Sequence, residues 1–177
     1  MKTLLAAVAL AALSTALPAA ATTTGPVPLG ILSDAATPSA YRLDLTIIPD
    51  QERFSGHAEI DVTLKGATSS LYLHGRGLKV AGVVAKVGGK VIKAAYSEVD
   101  STGVARLDFA RPLPAGKATL IFDYDAPFGD SPAGIYRVKV GEQWYVWTQF
   151  QSIDARAAFP SFDQPGLVVS ETVNGVL

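Results

Sequence analysis

The sequence predicts an all-β domain, an antiparallel sandwich or saddle, on three observations. From Phe54 to Leu64 the chain alternates without a miss, Phe54, Gly56, Ala58, Ile60, Val62 and Leu64 on one face, Arg53, Ser55, His57, Glu59, Asp61 and Thr63 on the other. A period of two with only one apolar face marks a strand between core and water, the antiparallel pattern. Shorter runs of this kind recur between glycine- and proline-rich turns, as in sandwiches. After the leader, no stretch of ten or more residues sustains the 3.6-residue period of a helix.

Taken in order, Met1 to Ala21 reads as a signal peptide. Lys2 is a minimal charged head, Leu4 to Leu13 an apolar core, and Ala19-Ala20-Ala21 a run of small residues for cleavage. That core is shorter than the roughly 20 residues of a spanning helix, so the mature chain is expected to be exported, periplasmic or secreted, with no membrane span. Residues 22–39, with Gly25, Pro26, Pro28, Gly30 and Pro38, read as a flexible linker, and the domain is placed at 40–177. Its first strand is Tyr41, Leu43, Leu45 and Ile47 alternating with Arg42, Asp44 and Thr46, closed by a turn at Pro49-Asp50. After the Arg53–Leu64 run, strands are predicted near Ser70–His74, Leu78–Val87, Lys90–Tyr96, Val104–Phe109, Lys117–Asp125, Ile135–Val140 and Trp144–Gln149. Gly88-Gly89 joins two of them as a two-residue hairpin, whose turn demands positive φ.

The chain has 177 residues, one domain's worth, 15 basic against 16 acidic side chains and a formal net charge of -1. The charges are dispersed rather than in runs, so no footprint for nucleic acid or an anionic membrane is expected. There is no cysteine, so the domain relies on its core and thiolate metal sites are excluded. His57, Glu59 and Asp61 share a strand face, but at about 7 Å intervals they diverge too far to hold one ion without a second element, and a solvated face is expected. His74 reads as a structural histidine.

The densest chemistry lies in Trp147 to Pro165, WTQFQSIDARAAFPSFDQP. A strand there breaks into a polar run carrying Gln149 and Gln151, then Asp154-Ala-Arg156, and ends where Pro160 and Pro165 forbid helix. This segment resembles the close of the N-terminal domain of the zinc aminopeptidases related to aminopeptidase N and leukotriene hydrolase, where T-Q-[FM]-[EQ]-x-x-D-A-R-x-x-F-P-C-x-D-E-P recurs. Nine or more of those positions match. YRLDLTIIPDQERFSGHAEIDVTL, SLYLHGRGLKV and LPAGKATLIFDYDAPFGDSPAGIYR resemble earlier strands of the same domain, so the likeness covers about Tyr41 to Pro165. Ser161 stands for the family's Cys, Gln164 for its Glu and Ala157 for a basic residue.

The resemblance implies a saddle-like β domain whose Gln151 reaches a neighbouring catalytic cleft and binds the free α-amine of a peptide. Gln149 is expected to point away and be structural. Asp154, Arg156 and Asp163 are expected to form one ion-pair set supporting Gln151, since a guanidinium can hold two carboxylates. The family's zinc sits on H-E-x-x-H, and neither that motif nor G-A-M-E-N occurs in these 177 residues. No cofactor is therefore expected in this chain, with zinc in a catalytic domain that would be its partner. After Pro165 the run GLVVSETVNGVL is expected to fall short of the strand that completes the sheet, as in a truncated gene product with an unpaired edge. The alternative function is a non-catalytic periplasmic binding or scaffold module on the same fold; the sequence encoded downstream of Leu177 discriminates the two.

Overall fold

The computed structural model describes residues 26–167 and 171–176, so the signal segment Met1–Ala21 lies outside the described residues. The described strands are β1 (Ala36–Thr46), β2 (Arg53–Leu64), β3 (Thr68–His74), β4 (Lys79–Val87), β5 (Lys90–Glu98), β6 (Val104–Leu113), β7 (Gly116–Pro127), β8 (Gly134–Val140), β9 (Gln143–Gln149) and β10 (Glu171–Val176). Two 3-10 turns, Ala155–Ala157 and Pro165–Leu167, separate the last two strands. Among the described residues no helix is long and apolar enough to cross a membrane.

Eight strands form one sheet in the order β10-β1-β2-β7-β4-β5-β6-β3, while β8 and β9 pair separately. The sheet turns a corner at β5. Its residues Lys90 to Lys93 pair with β4, and Ala94 to Glu98 pair with β6. The curl brings Ile60, Leu120 and Phe122 of the broad wing into one buried cluster with Leu73 and Leu107 of the narrow wing. The period of two in β2 survives intact, since Phe54, Ala58, Ile60, Val62 and Leu64 are all buried. At about 25 cal/mol per Å² of apolar surface, each such large side chain contributes roughly 1.5–3 kcal/mol.

Most strand boundaries fall within two residues of the sequence reading, and the exceptions have physical causes. β1 begins at Ala36, inside the predicted linker, because the register shifts between Pro38 and Ala40. Ala36 and Pro38 point inward before that bulge and Tyr41, Leu43 and Leu45 after it, so the alternation changes phase and hides the strand's first half. The preceding residues are also tied down: Leu32 is buried, its N–H donates to Gln164 Oε1 at 2.9 Å, and Lys65 pairs with Asp34. β6 runs on past Phe109 to Leu113, around an irregularity opposite Thr68 and Ser70 that accommodates Pro112.

The expectation of a missing closing strand is overturned. Glu171 to Val176 pairs with β1 from Tyr41 to Thr46, parallel where the rest of the sheet is antiparallel. Leu167, at the head of the Leu-Val-Val run, belongs to the second 3-10 turn. β10 lacks a sequence signature because it is an edge strand with Thr172, Val173, Asn174 and Gly175 exposed. Asn174 Nδ2 fastens it by donating to Asp44 at 2.8 Å.

Candidate functional site

The site is the connection from β9 to the second 3-10 turn, and it starts from the alternation of β9 itself. Trp144 and Val146 are half-buried while Tyr145, Trp147 and Gln149 are exposed. On the inner side the Arg137 guanidinium lies 4.3 Å from the Trp144 ring and 5.6 Å from that of Phe128, and it donates to the Pro49 carbonyl at 3.0 Å. That stack seats the β8–β9 hairpin on the main sheet.

Beyond Gln149 the chain turns. Phe150 packs edge-on against buried Phe159 at 5.8 Å, and the Asp154 N–H donates back to the Phe150 carbonyl at 2.9 Å. Between these two fixed points Gln151, Ser152 and Ile153 form an exposed tip, with a cis peptide between Gln151 and Ser152. Gln149 and Gln151 are both exposed, and the Gln149 amide donates to the Gln151 backbone carbonyl at 3.4 Å. The Gln151 side chain is thus turned to solvent on a short turn, with acceptor and donors available.

The foundation of this tip differs from the single ion-pair set expected of Asp154, Arg156 and Asp163. Arg156 is 3% exposed and holds Asp163 alone. Its Nε donates to Asp163 Oδ2 at 3.0 Å, one terminal nitrogen to the Asp163 carbonyl at 2.8 Å, and the other to the Thr102 carbonyl at 3.0 Å. Those acceptors occupy its planar fork, so Asp154 pairs instead with Arg76, at 2.8 Å. The Arg76 N–H donates to the Arg156 carbonyl at 2.7 Å, which ties the two pairs together. Gly103 makes room for this crossing: at φ +90, an added Cβ would lie 2.8 Å from Arg76 Cβ and 3.1 Å from Arg156 Cδ.

Further anchors fix the rest of the segment. Phe159 meets the Tyr41 ring edge-on at 6.1 Å, and the Tyr41 hydroxyl accepts from the Phe162 N–H at 2.8 Å. Ser161 and His74 exchange backbone hydrogen bonds of 2.7 and 2.9 Å. One segment therefore grips β3, at one edge of the curled sheet, and β1, next to the other. His74 is fully buried and its Nε2 lies 3.2 Å from the Gly30 carbonyl, a contact that requires the Nε2–H tautomer. Burial, then the nearby Arg156 charge, push its pKa below the ordinary value. Arg76, Thr102 and Tyr41 were invisible as members of the site because their contacts are long-range in sequence.

His57 has the second element that its own strand lacks: Asp123 of β7 stands 2.6 Å from its Nδ1. Glu59 and Asp61, however, are drawn to Arg42, each at 2.8 Å, and Thr119 donates to Asp61 at 2.7 Å. Hydrogen bonding to Arg42 lowers the Asp61 pKa. The face is a cross-strand network of opposite charges, and among the described residues no group of three His, Cys, Asp or Glu is placed to hold a metal.

A curled β domain closed by a motif-bearing turn defines the N-terminal module of a peptidase, and comparison with known proteins agrees. The family model of the peptidase M1 N-terminal domain matches residues 37–173, and the chain belongs to that family. It is 30% identical over 153 residues to aminopeptidase N of Acetobacter pasteurianus, covering 84% of this chain and 42% of that protein. It is 32% identical over 139 residues to the puromycin-sensitive aminopeptidase of Caenorhabditis elegans (73% and 14%) and 29% identical over 147 residues to endoplasmic reticulum aminopeptidase 1 of Rattus norvegicus (77% and 16%). The chain thus spans less than half the length of these relatives.

Proposed function

We propose that this chain is the substrate-recognising N-terminal domain of an exported zinc metallo-aminopeptidase, and that Gln151 accepts the free α-amine of the peptide to be trimmed. The observation that carries this reading is the placement of Gln151, exposed at the tip of a turn whose two ends are fixed by Phe150–Phe159 packing and the Asp154–Arg76 pair. A side-chain carbonyl held there can accept from an ammonium group, and rigid support keeps the acceptor where the amine arrives. Binding confined to the amine would restrict cleavage to the first residue.

In this reading the zinc of such an enzyme is not held by the two histidines of this chain. His57 is engaged with Asp123, and His74 is buried against the Gly30 carbonyl in another strand. The metal is assigned to a catalytic domain carrying H-E-x-x-H, against which the Gln151 tip would face. Export rests on the Met1–Ala21 pattern.

The test is Gln151→Ala in a complete enzyme carrying this domain. Loss of one hydrogen bond to a charged group is worth about 1.5–3 kcal/mol, so kcat/KM on free-amine peptides should fall by roughly 10- to 150-fold. Gln151→Glu should restore or tighten binding, because a carboxylate is the stronger acceptor for an ammonium. Unchanged cleavage by Gln151→Ala would remove Gln151 from the reading.

A further inference from the structure

The corner at β5 opens a fork at the end of the strands opposite to the His74 and Arg76 anchors of the Gln151 turn. β5 and β6 pair only from Ala94 and Phe109 onward. On the near side of that point they separate around a groove of about 840 Å³ whose lining includes Lys90, Val91, Lys93, Arg111 and Pro112. β6 is irregular there, its partners in β3 jumping from Ser70–Asp108 to Thr68–Leu113. In a two-residue hairpin the flanking pair, Val87 and Lys90, is the hydrogen-bonded one. By alternation Val91 and Lys93 turn their backbone N–H and C=O groups away from β4; those of Val91 open on the fork, and Lys93 sits where the pairing with β6 begins. An open strand edge of this kind is a template for another strand.

Charge adds a second, independent feature. Lys90, Lys93 and Arg111 line the groove, and Lys86 and Lys117 line the adjoining hollow across Gly88. All five are exposed, and among the described residues none of them enters an ion pair. The carboxylates nearby are already engaged: Asp61 by Arg42, Asp34 by Lys65 and Asp108 by Arg106. A protein of net charge -1 therefore gathers unneutralised cations at one end, beside a Val91 side chain that is 60% exposed.

We propose that this fork is a docking site for an extended acidic peptide segment of a partner protein. The segment adds as a strand to the Val91–Lys93 edge, its carboxylates meet Lys90, Lys93 and Arg111, and an apolar side chain of the segment covers Val91. Backbone pairing supplies the affinity and the cationic rim selects the charge. The site lies away from the Gln151 tip, so it stands or falls independently of amine recognition.

A fluorescein-labelled peptide alternating glutamate and valine, titrated into the purified chain and followed by anisotropy, tests it. Saturable binding that weakens as salt is raised is expected, with no binding of the corresponding lysine–valine peptide. N-methylation of the pairing amides removes donors without changing charge and should weaken binding by roughly three- to tenfold per blocked bond. Lys93→Glu combined with Arg111→Glu should cost at least about tenfold. Equal binding of the N-methylated peptide overturns strand addition, and that arm uses the unaltered chain. Capture by phosphatidylglycerol vesicles with no peptide binding makes the fork a lipid contact and overturns the proposal as well.

Discussion

The Arg156 guanidinium is taken out of water almost completely, yet every contact it makes is to a fixed acceptor: the Asp163 carboxylate, the Asp163 carbonyl and the Thr102 carbonyl. Such a group holds the loop because of its shape as much as its charge. Arg156→Lys keeps the charge and loses the fork, leaving acceptors unmet, while Arg156→Ala strands a half-buried Asp163. Breaking a buried pair from one side costs about 3–5 kcal/mol, so urea unfolding should show a loss of that order for Arg156→Ala and a smaller but clear loss for Arg156→Lys. His74 adds a pH dependence. Its folded pKa lies below the ordinary 6.5, so the unfolded chain binds a proton that the folded chain refuses. Stability should fall as pH drops from about 6.5 toward that depressed value and level off below it. Arg156, Asp163 and Asp100 are the charged groups that act on it, whereas Asp61 and Asp100, held low by hydrogen bonds, lose their contributions only below 3.8. A melting curve for His74→Gln that keeps the wild-type slope between pH 7 and 5 would refute the assignment.

At the scale of elements, β10 changes what the edge of the sheet presents. It covers β1 along Tyr41 to Thr46 and becomes the edge in its place. Ending the chain before Glu171 should expose the β1 edge and produce concentration-dependent oligomers in sedimentation, with the 177-residue sequence staying smaller under the same conditions. Equal behaviour of the two would show that β10 does not protect the edge. The elements differed in how openly the sequence declared them. β2 was legible residue by residue because its inner face is buried apart from half-buried Gly56 and its outer face is wholly polar. The first half of β1 was not, because a bulge reverses its phase, and β10 was not, because an exposed edge strand needs no apolar face.

The whole molecule has two distinct ends that its linear charge pattern conceals. One end carries the turn that presents Gln151, anchored on β3 and β1; the other carries the fork with Lys90, Lys93 and Arg111. Fifteen basic and sixteen acidic residues look dispersed along the chain, but the fold brings Lys86, Lys90, Lys93, Arg111 and Lys117 together at one end, while carboxylates such as Asp61 and Asp108 are engaged by other cations. By itself the sequence determined the all-β class, most strand boundaries, the family and the segment around Gln151, because period-two burial and a dense local motif are properties of neighbouring residues. Only the tertiary structure decided that Asp154 answers to Arg76 rather than Arg156, that β10 completes the sheet in parallel, and that β5 turns a corner. Each of those depends on which distant residue arrives at a given donor or edge, and closure of the curled sheet settles that where local propensity cannot.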